Sequence, residues 1–196
     1  MEYNFYAMMA RMKYIERWAL MRNSQTENIS EHSLEVSMLS HGLAVISNKR
    51  LGNTLNSEKA ALIGLYHDST EIITGDMPTP IKYYNKEIMG AFKEIESIAA
   101  NNLLSMLPED MREDFYSIFF KTDGDEYLWK LVKAADKLSA LIKCIGEEKA
   151  GNTEFVSAKN SLTKALMDMG LKEVEIFMKE FLPAYYKTLD ELNHLQ

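Results

Sequence analysis

The chain has 196 residues, 46% of them hydrophobic and 26% charged, enough for one core-forming domain that buries roughly 70% of its unfolded surface. Its formal net charge of −7 argues against a nucleic-acid polymer as partner, because a groove that tracks phosphates needs clustered positive charge, while a small anion held by a few Arg or Lys stays within reach. The single cysteine, Cys144, cannot form an intramolecular disulfide, and Glu2, Arg11, Lys13 and Glu16 interrupt any apolar run near the N-terminus, so the expectation is a cytoplasmic protein with no secretory signal and no membrane span.

Helical periodicity runs through nearly every segment, without the period-two alternation of strands, and predicts an all-α fold with one domain over residues 1–196. A first helix is predicted over residues 2–14. An unpatterned connection follows, Arg17-Trp18-Ala19-Leu20-Met21-Arg22-Asn23 and on to Ile29, of a kind that often carries function. Ser30 is the predicted N-cap of a second helix reaching about Ser47, with Glu31 favourably placed against the helix dipole. At about 100° per residue, His32 shares a stripe with Val36, Leu39, Leu43 and Ile46, and His41 an opposite one with Leu34, Met38 and Val45. Only one of these histidines can face a given site.

Asn56 or Ser57 caps a predicted third helix that ends near Gly75, a suitable C′ glycine. Asp76-Met77-Pro78-Thr79-Pro80 then forms a rigid loop, because proline lacks an N–H and restricts the residue before it. A fourth helix is predicted over 86–107 with Ile88, Phe92, Ile95, Ala99 and Leu103 inward, and a short fifth from Pro108 to about Phe120. A long helix over about 126–149 buries Leu128, Leu131, Val132, Ala135, Leu138, Ile142 and Ile145, with Asp136 at the border of the stripe among small neighbours. Two more helices, about 153–169 and 172 to the C-terminus with a break at Pro183, complete the chain.

Chemistry concentrates in Leu65-Tyr66-His67-Asp68-Ser69-Thr70-Glu71. Charge beside the apolar run Ala60 to Leu65 is tolerated only when paired, hydrogen-bonded or metal-bound. On a helix Glu71 stacks beside both Asp68 and His67, so one turn can supply two ligands and a base. With His32 and Asp136 these residues form a set of two imidazoles and two carboxylates that suits a borderline divalent ion such as Co, Mn, Fe, Zn or Ni better than Ca or Mg.

The order His…His-Asp…Asp on helices resembles the HD superfamily of metal-dependent phosphohydrolases. Within it, Arg17-Trp18, Thr26-Glu27-Asn28-Ile29-Ser30-Glu31-His32-Ser33, His67-Asp68-Ser69-Thr70-Glu71, Thr74-Gly75-Asp76-Met77-Pro78-Thr79-Pro80-Ile81-Lys82-Tyr83 and Lys133-Ala134-Ala135-Asp136 are similar to the bacterial 5′-deoxynucleotidases. The likeness covers almost the whole chain. It implies an HD-domain helical bundle, a homodimer, and hydrolysis of 2′-deoxyribonucleoside 5′-monophosphates with one divalent ion, often Co or Mn. Carried over by position, His32, His67, Asp68 and Asp136 are the ligands, and Glu71 and Asp76 the catalytic carboxylates. Arg17, Trp18, Asp76, Thr79 and Lys82 are the substrate contacts.

Such chemistry fits the residue types. Phosphate-monoester hydrolysis is very slow without catalysis, and the site must activate water and neutralise a dianion. The blander readings are a core histidine at His32, a solvated or supporting carboxylate at Glu71, a turn cap at Asp76, packing at Trp18 and a surface ion pair at Arg17. Lys82 and Arg22 are weaker phosphate candidates, His41 is read as structural, and His194 as a solvated tail residue. Two rival functions stand beside deoxynucleotide hydrolysis. One is an HD phosphohydrolase of other nucleotide specificity, against which Ile72 stands where the ppGpp class carries an Asp. The other is a non-catalytic nucleotide-binding HD module.

Overall fold

The computed structural model describes residues 2–82 and 84–193; Tyr83 and His194 lie outside the described residues. Among them the helices are α1 (Phe5–Met9), α2 (Ile29–Arg50), α3 (Ser57–Tyr66), α4 (Glu71–Thr74), α5 (Thr79–Lys82), α6 (Lys86–Ser105), α7 (Arg112–Phe119), α8 (Glu126–Lys149), α9 (Val156–Asp168), α10 (Lys172–Glu180) and α11 (Leu189–Leu192), with 3-10 turns over Ala10–Tyr14, Glu109–Met111, Thr153–Phe155 and Leu182–Tyr186. The fold is all-α, as the periodicity predicts. One isolated antiparallel bridge, Glu16 to Asn28, is the only extended pairing among the described residues.

α2, α3 and α8 form the centre. Val36, Leu39 and Leu43 of α2 pack with Ile63 of α3 and with Leu131, Leu138 and Ile145 of α8, and α9 and α10 close that core with Leu166, Val174 and Phe177. Each such side chain contributes about 1.5–3 kcal/mol on full burial. A second cluster gathers Phe5, Leu103, Leu104 and Leu107, with Tyr66, Phe115 and Phe119 against it. Ile63 belongs to one cluster and Tyr66 to the other, so the end of α3 sits where the two cores meet.

The two faces of α2 divide as predicted. His32, Val36, Leu39, Leu43 and Ile46 are buried, whereas Leu34, Met38 and His41 are exposed. Its cap is Asn28 and not Ser30: the Asn28 carboxamide accepts from the backbone of Ser30 and Glu31, and Glu31 returns a bond to the Asn28 N–H. That reciprocal capping box satisfies free donors at both ends of the first turn.

α3 also departs from expectation. It stops at Tyr66; His67 to Thr70 form a turn, and α4 restarts at Glu71 before Gly75 ends it at φ +72°. The Ser69 hydroxyl donates to the Tyr66 carbonyl at 2.7 Å, and the Ser69 N–H bonds the same oxygen at 3.0 Å. A serine that competes for backbone acceptors in this way tightens a helix into a turn. Pro80 lies inside the first turn of α5 and not in a loop, a position where its missing N–H costs nothing. On α6, Ile95 is 49% exposed, because the inner face runs through Phe92, Ala99, Ala100, Leu103 and Leu104 instead.

Candidate metal centre

His32 enters from the first turns of α2 and is fully buried. Its Nδ1 lies 3.0 Å from Ser139 Oγ on α8, and that hydroxyl donates its one proton to Glu35 Oε2 at 2.5 Å. Ser139 Oγ therefore accepts from Nδ1–H, which leaves Nε2 as the outward nitrogen. His67 is oriented in the same sense, since its Nδ1 lies 2.7 Å from the Gly64 carbonyl, which can only accept. Both imidazoles thus present Nε2, and both Nε2 atoms are buried without a hydrogen-bond partner.

Carboxylates face them. Asp68 Oδ2 is 3.1 Å from His67 Nε2 and 3.4 Å from His32 Nε2, and Asp136 Oδ1 is 3.2 Å from His32 Nε2. One ligand atom from each of His32, His67 and Asp68 falls within 4.8 Å of the others, and Asp136 joins through His32. Lone pairs directed at carboxylate oxygens repel unless protons or a cation lie between them. Donors that share an ion at about 2.0–2.2 Å stand roughly 3.0–3.5 Å apart, so the spacing and the mixed nitrogen and oxygen set fit one divalent transition ion. His32 is fully enclosed while Asp68 and Asp136 keep 22% and 37% of their side chains exposed. The cluster is closed behind and open in front.

Without an ion, protons serve the same electrostatic purpose. Burial and Arg17 disfavour charge on His32, but the Asp136 and Asp68 carboxylates outweigh them and raise its pKa. Burial likewise opposes ionisation of Asp68, yet His67 and His32 hold it well below the ordinary carboxylate value, and Asp136 is lowered against its own burial chiefly by the His32 imidazole beside it.

Glu71 is 7% exposed, and its Oε2 has no hydrogen-bond partner. Burial first, then the charges of Asp68 and Asp76, push its pKa up to about 9 against the pull of Arg17 and Lys82. Asp76 is raised too, by burial and by Asp68, although the Trp18 backbone donates a hydrogen bond to it. Glu71 and Asp76 therefore share the electrostatic environment of the ligand cluster. Both carboxyls stand at its edge with their pKa values raised.

The loop before α2 brings Arg17 and Trp18 to the same place. Arg17 Nη1 and Trp18 Nε1 both donate to Glu27 Oε2, at 2.8 and 2.9 Å, and the indole packs against Phe155 with ring centroids 5.3 Å apart. Burial opposes the Arg17 charge, but Glu27, Asp68, Asp136 and Asp76 more than offset it and raise its pKa. The loop is tied to α8 by the buried Glu147, whose oxygens accept from the Ser24 N–H at 2.8 Å and from the Asn152 side chain at 2.8 Å. These ties anchor the irregular segment to α8.

The remaining candidates are not gathered in. Thr79 is exposed at the start of α5. Lys82 is committed to Glu96 at 2.7 Å, with its ammonium over the Phe92 ring. His41 lies exposed on the far side of α2. Conversely, the sequence gives no role to Glu35, Ser139 and Glu147, and Glu27 enters there only as part of the block Thr26 to Ser33. The signals were present only as i+3 spacings, with Glu35 three residues after His32 and Ser139 three after Asp136.

An all-α bundle with a His/His-Asp/Asp cluster at the meeting of its central helices has the HD-domain phosphohydrolase fold. Solved structures that share it include an HD-domain phosphohydrolase from Listeria innocua, at TM-score 0.80 and 23% identity over 93% of this chain and 88% of that one. Another is the cyanophage S-2L HD phosphohydrolase bound to dA and one catalytic Zn2+, at TM-score 0.65 and 21% identity over 93% and 96%. Among sequences, the 5′-deoxynucleotidases of Vibrio parahaemolyticus and Vibrio cholerae are each 47% identical over 98% of this chain and 99% of theirs. The family described as 5′-deoxynucleotidase YfbR-like matches residues 4–185. The chain belongs to the YfbR-like 5′-deoxynucleotidase family.

Proposed function

We propose that this 5′-deoxynucleotidase hydrolyses 2′-deoxyribonucleoside 5′-monophosphates to deoxynucleoside and phosphate, as one domain, with a single divalent ion held by His32, His67, Asp68 and Asp136. The observation that carries the reading is the pair of buried, unpartnered Nε2 atoms facing carboxylates at 3.1–3.4 Å. When bound, such an ion supplies Lewis acidity, which lowers the pKa of water toward about 7 and offsets phosphate charge. Co or Mn suits the mixed donor set, and Zn is reported for the dA-bound phage enzyme.

The chain's own residues supply the rest. Arg17 uses the guanidinium nitrogens not engaged by Glu27 to hold phosphate oxygens, a forked geometry that suits the anion. Glu71 takes a proton from the attacking water at Oε2, once a cation nearby has brought its pKa down, and Asp76 holds a proton for the leaving 5′-oxygen. Trp18 forms the wall against the deoxyribose. Thr79 and Lys82 stand farther back, and Lys82 contributes long-range positive charge to Glu71 and Asp68. A homodimer is supported by the apolar Leu34 and Met38, exposed at 56% and 61% on the side of α2 opposite His32. No described helix is long and apolar enough to cross a membrane.

The test is phosphate release from deoxy- and ribonucleoside monophosphates with added Co, Mn, Zn or Mg, alongside Asp68→Ala. Deoxynucleotides should be preferred, and Asp68→Ala should lose both the ion and turnover. An Asp68→Ala protein that stays loaded and active overturns the ligand assignment, and equal rates on ribonucleotides overturn the substrate.

A further inference from the structure

We infer that Glu27 is a positioning residue that locks Arg17 and Trp18 into one rigid clamp and so sets the preference for deoxyribose over ribose. The inference rests on the proposed reading of Trp18 as the sugar wall. Four observations support it.

A single carboxylate oxygen, Glu27 Oε2, accepts from both the guanidinium and the indole, at 2.8 and 2.9 Å. The two donors are on adjacent residues, so this one atom fixes the relative placement of a phosphate-binding and a sugar-facing group. The backbone is fastened at the same point, since Arg17 N donates to Glu27 O at 2.8 Å and Ile29 N to Ile15 O at 2.9 Å. Glu27 cannot drift away from Arg17 without breaking this ladder.

Trp18 has φ +59°, the only positive φ at a non-glycine among the described residues. A bulky side chain adopts that region only where its surroundings overdetermine it, and such strain concentrates at functional positions. Here the surroundings are the Nε1 bond to Glu27, the Phe155 ring and the bonds that the Trp18 carbonyl accepts from Met21 N and Asn23 Nδ2. Of these, the Glu27 bond and the Phe155 ring act on the indole itself, and Glu27 is the one that also holds Arg17.

Finally, Arg17 stands within the electrostatic reach of Asp68, Asp136 and Asp76 as well as Glu27. These carboxylates draw the guanidinium toward the ligand cluster. Glu27 holds it back at a hydrogen bond, so that the arginine meets a phosphate instead of collapsing onto the ion's own ligands. A wall rejects an added hydroxyl only while it stays put: an apolar pocket discriminates by about 100-fold, and a misplacement of about 1 Å can remove as much.

The experiment compares wild type, Glu27→Ala, Glu27→Gln and Trp18→Ala for kcat/KM on dAMP and AMP and for bound metal. Glu27→Ala should keep its metal and shrink the dAMP/AMP ratio about tenfold or more, mainly by loss on dAMP. Glu27→Gln, whose amide oxygen still accepts from the indole, should restore most of the ratio. In a Trp129→Phe background Trp18 is the sole indole of the two in the chain, and Glu27→Ala should raise its quenching by acrylamide while Glu27→Gln should not. A ratio that falls in Trp18→Ala but stays at the wild-type value in Glu27→Ala overturns the role of Glu27 alone. A ratio unchanged in Trp18→Ala overturns the sugar-wall reading and the inference with it. Loss of metal in both Glu27 variants overturns it as well, by making Glu27 a support of the ion site.

Discussion

Glu71 shows how a proposed proton-transfer role and a stability cost meet in one side chain. Its pKa of about 9 against an ordinary value of 4.5 means that the folded, metal-free protein prefers the protonated acid while the unfolded chain ionises freely. The resulting penalty begins near pH 4.5 and grows as pH rises toward 9. Glu71→Gln removes it, and the variant should melt a few degrees higher than wild type at pH 8 without metal, about 1–2 kcal/mol, while kcat falls about 10²–10⁴-fold. Melting curves and phosphate release decide together: a lower melting temperature with normal turnover removes Glu71 from the proposed mechanism. Ser139→Ala makes a separate point, because it strips His32 Nδ1 of its acceptor and Glu35 of its donor. Metal affinity should drop about 10–100-fold, read by chelator competition, as for other groups that orient a ligating imidazole; unchanged affinity would leave Ser139 a packing residue. The ligand candidates His32, His67, Asp68 and Asp136 were legible in the sequence because metal chemistry restricts residue type and local spacing restricts placement. Ser139 and Glu35 were not, since Ser139 meets His32 and Glu35 from 107 and 104 residues away, and nothing in either local pattern reports that meeting.

At the scale of elements, the contact of α2 with α3 sets the distance between the two histidines, and Gly64 sets that contact. A Cβ there would stand 2.9 Å from Ser40 Oγ, 3.0 Å from Ser37 Cα and 3.0 Å from Val36 O. Two of these atoms are backbone and cannot turn aside, so Gly64→Ala should push the helices apart. Its expected cost is about 1–3 kcal/mol, typical of overpacking, with weaker binding at the proposed metal site because the Gly64 carbonyl orients His67 Nδ1 at 2.7 Å. Gly90 on α6 is the control, since nothing lies within 4 Å of its Cβ position; alanine there should stabilise by about 0.4–1 kcal/mol. Equal melting temperatures for Gly64→Ala and wild type would show that the interface gives way easily. Periodicity located nearly every helix, and the bounds of α8 agree with it closely, because a long amphipathic stripe is a local property. It failed at α3, where Ser69 closes a turn within what reads as continuous helix, and at Ile95, where the apolar stripe on α6 is wider than the surface that covers it. Both depend on what lies opposite, which periodicity does not encode.

In the whole molecule, the cluster of proposed ligands is a clasp across α2, the end of α3 and α8, and its charge state couples the proposed metal, pH and stability. In the metal-free protein the raised His32 pKa contributes stability that is fully present below the unfolded value near 6.5 and is lost as pH rises through the folded pKa. Glu71 acts in the same direction, its penalty growing from 4.5 to about 9. The lowered pKa values of Asp68 and Asp136 contribute in the opposite sense, present above the unfolded value and lost only in acid. Between pH 6 and 9 the carboxylate contributions are therefore constant, while those of His32 and Glu71 both decline. On the proposed assignment a divalent ion takes the place of these protons and its ligands must shed them to bind, so affinity should rise over the same range. Ligand at 100 times its dissociation constant adds about 2.7 kcal/mol to stability, roughly 5–11 °C for a chain of this size at 2–4 °C per kcal/mol. The melting temperature of chelator-stripped protein should thus fall from pH 6 to pH 9, that of Mn- or Co-loaded protein should stay nearly level, and the gap between them should widen with each step. A gap that is constant or narrows with pH would mean that the ion does not take the place of protons at His32 and Glu71.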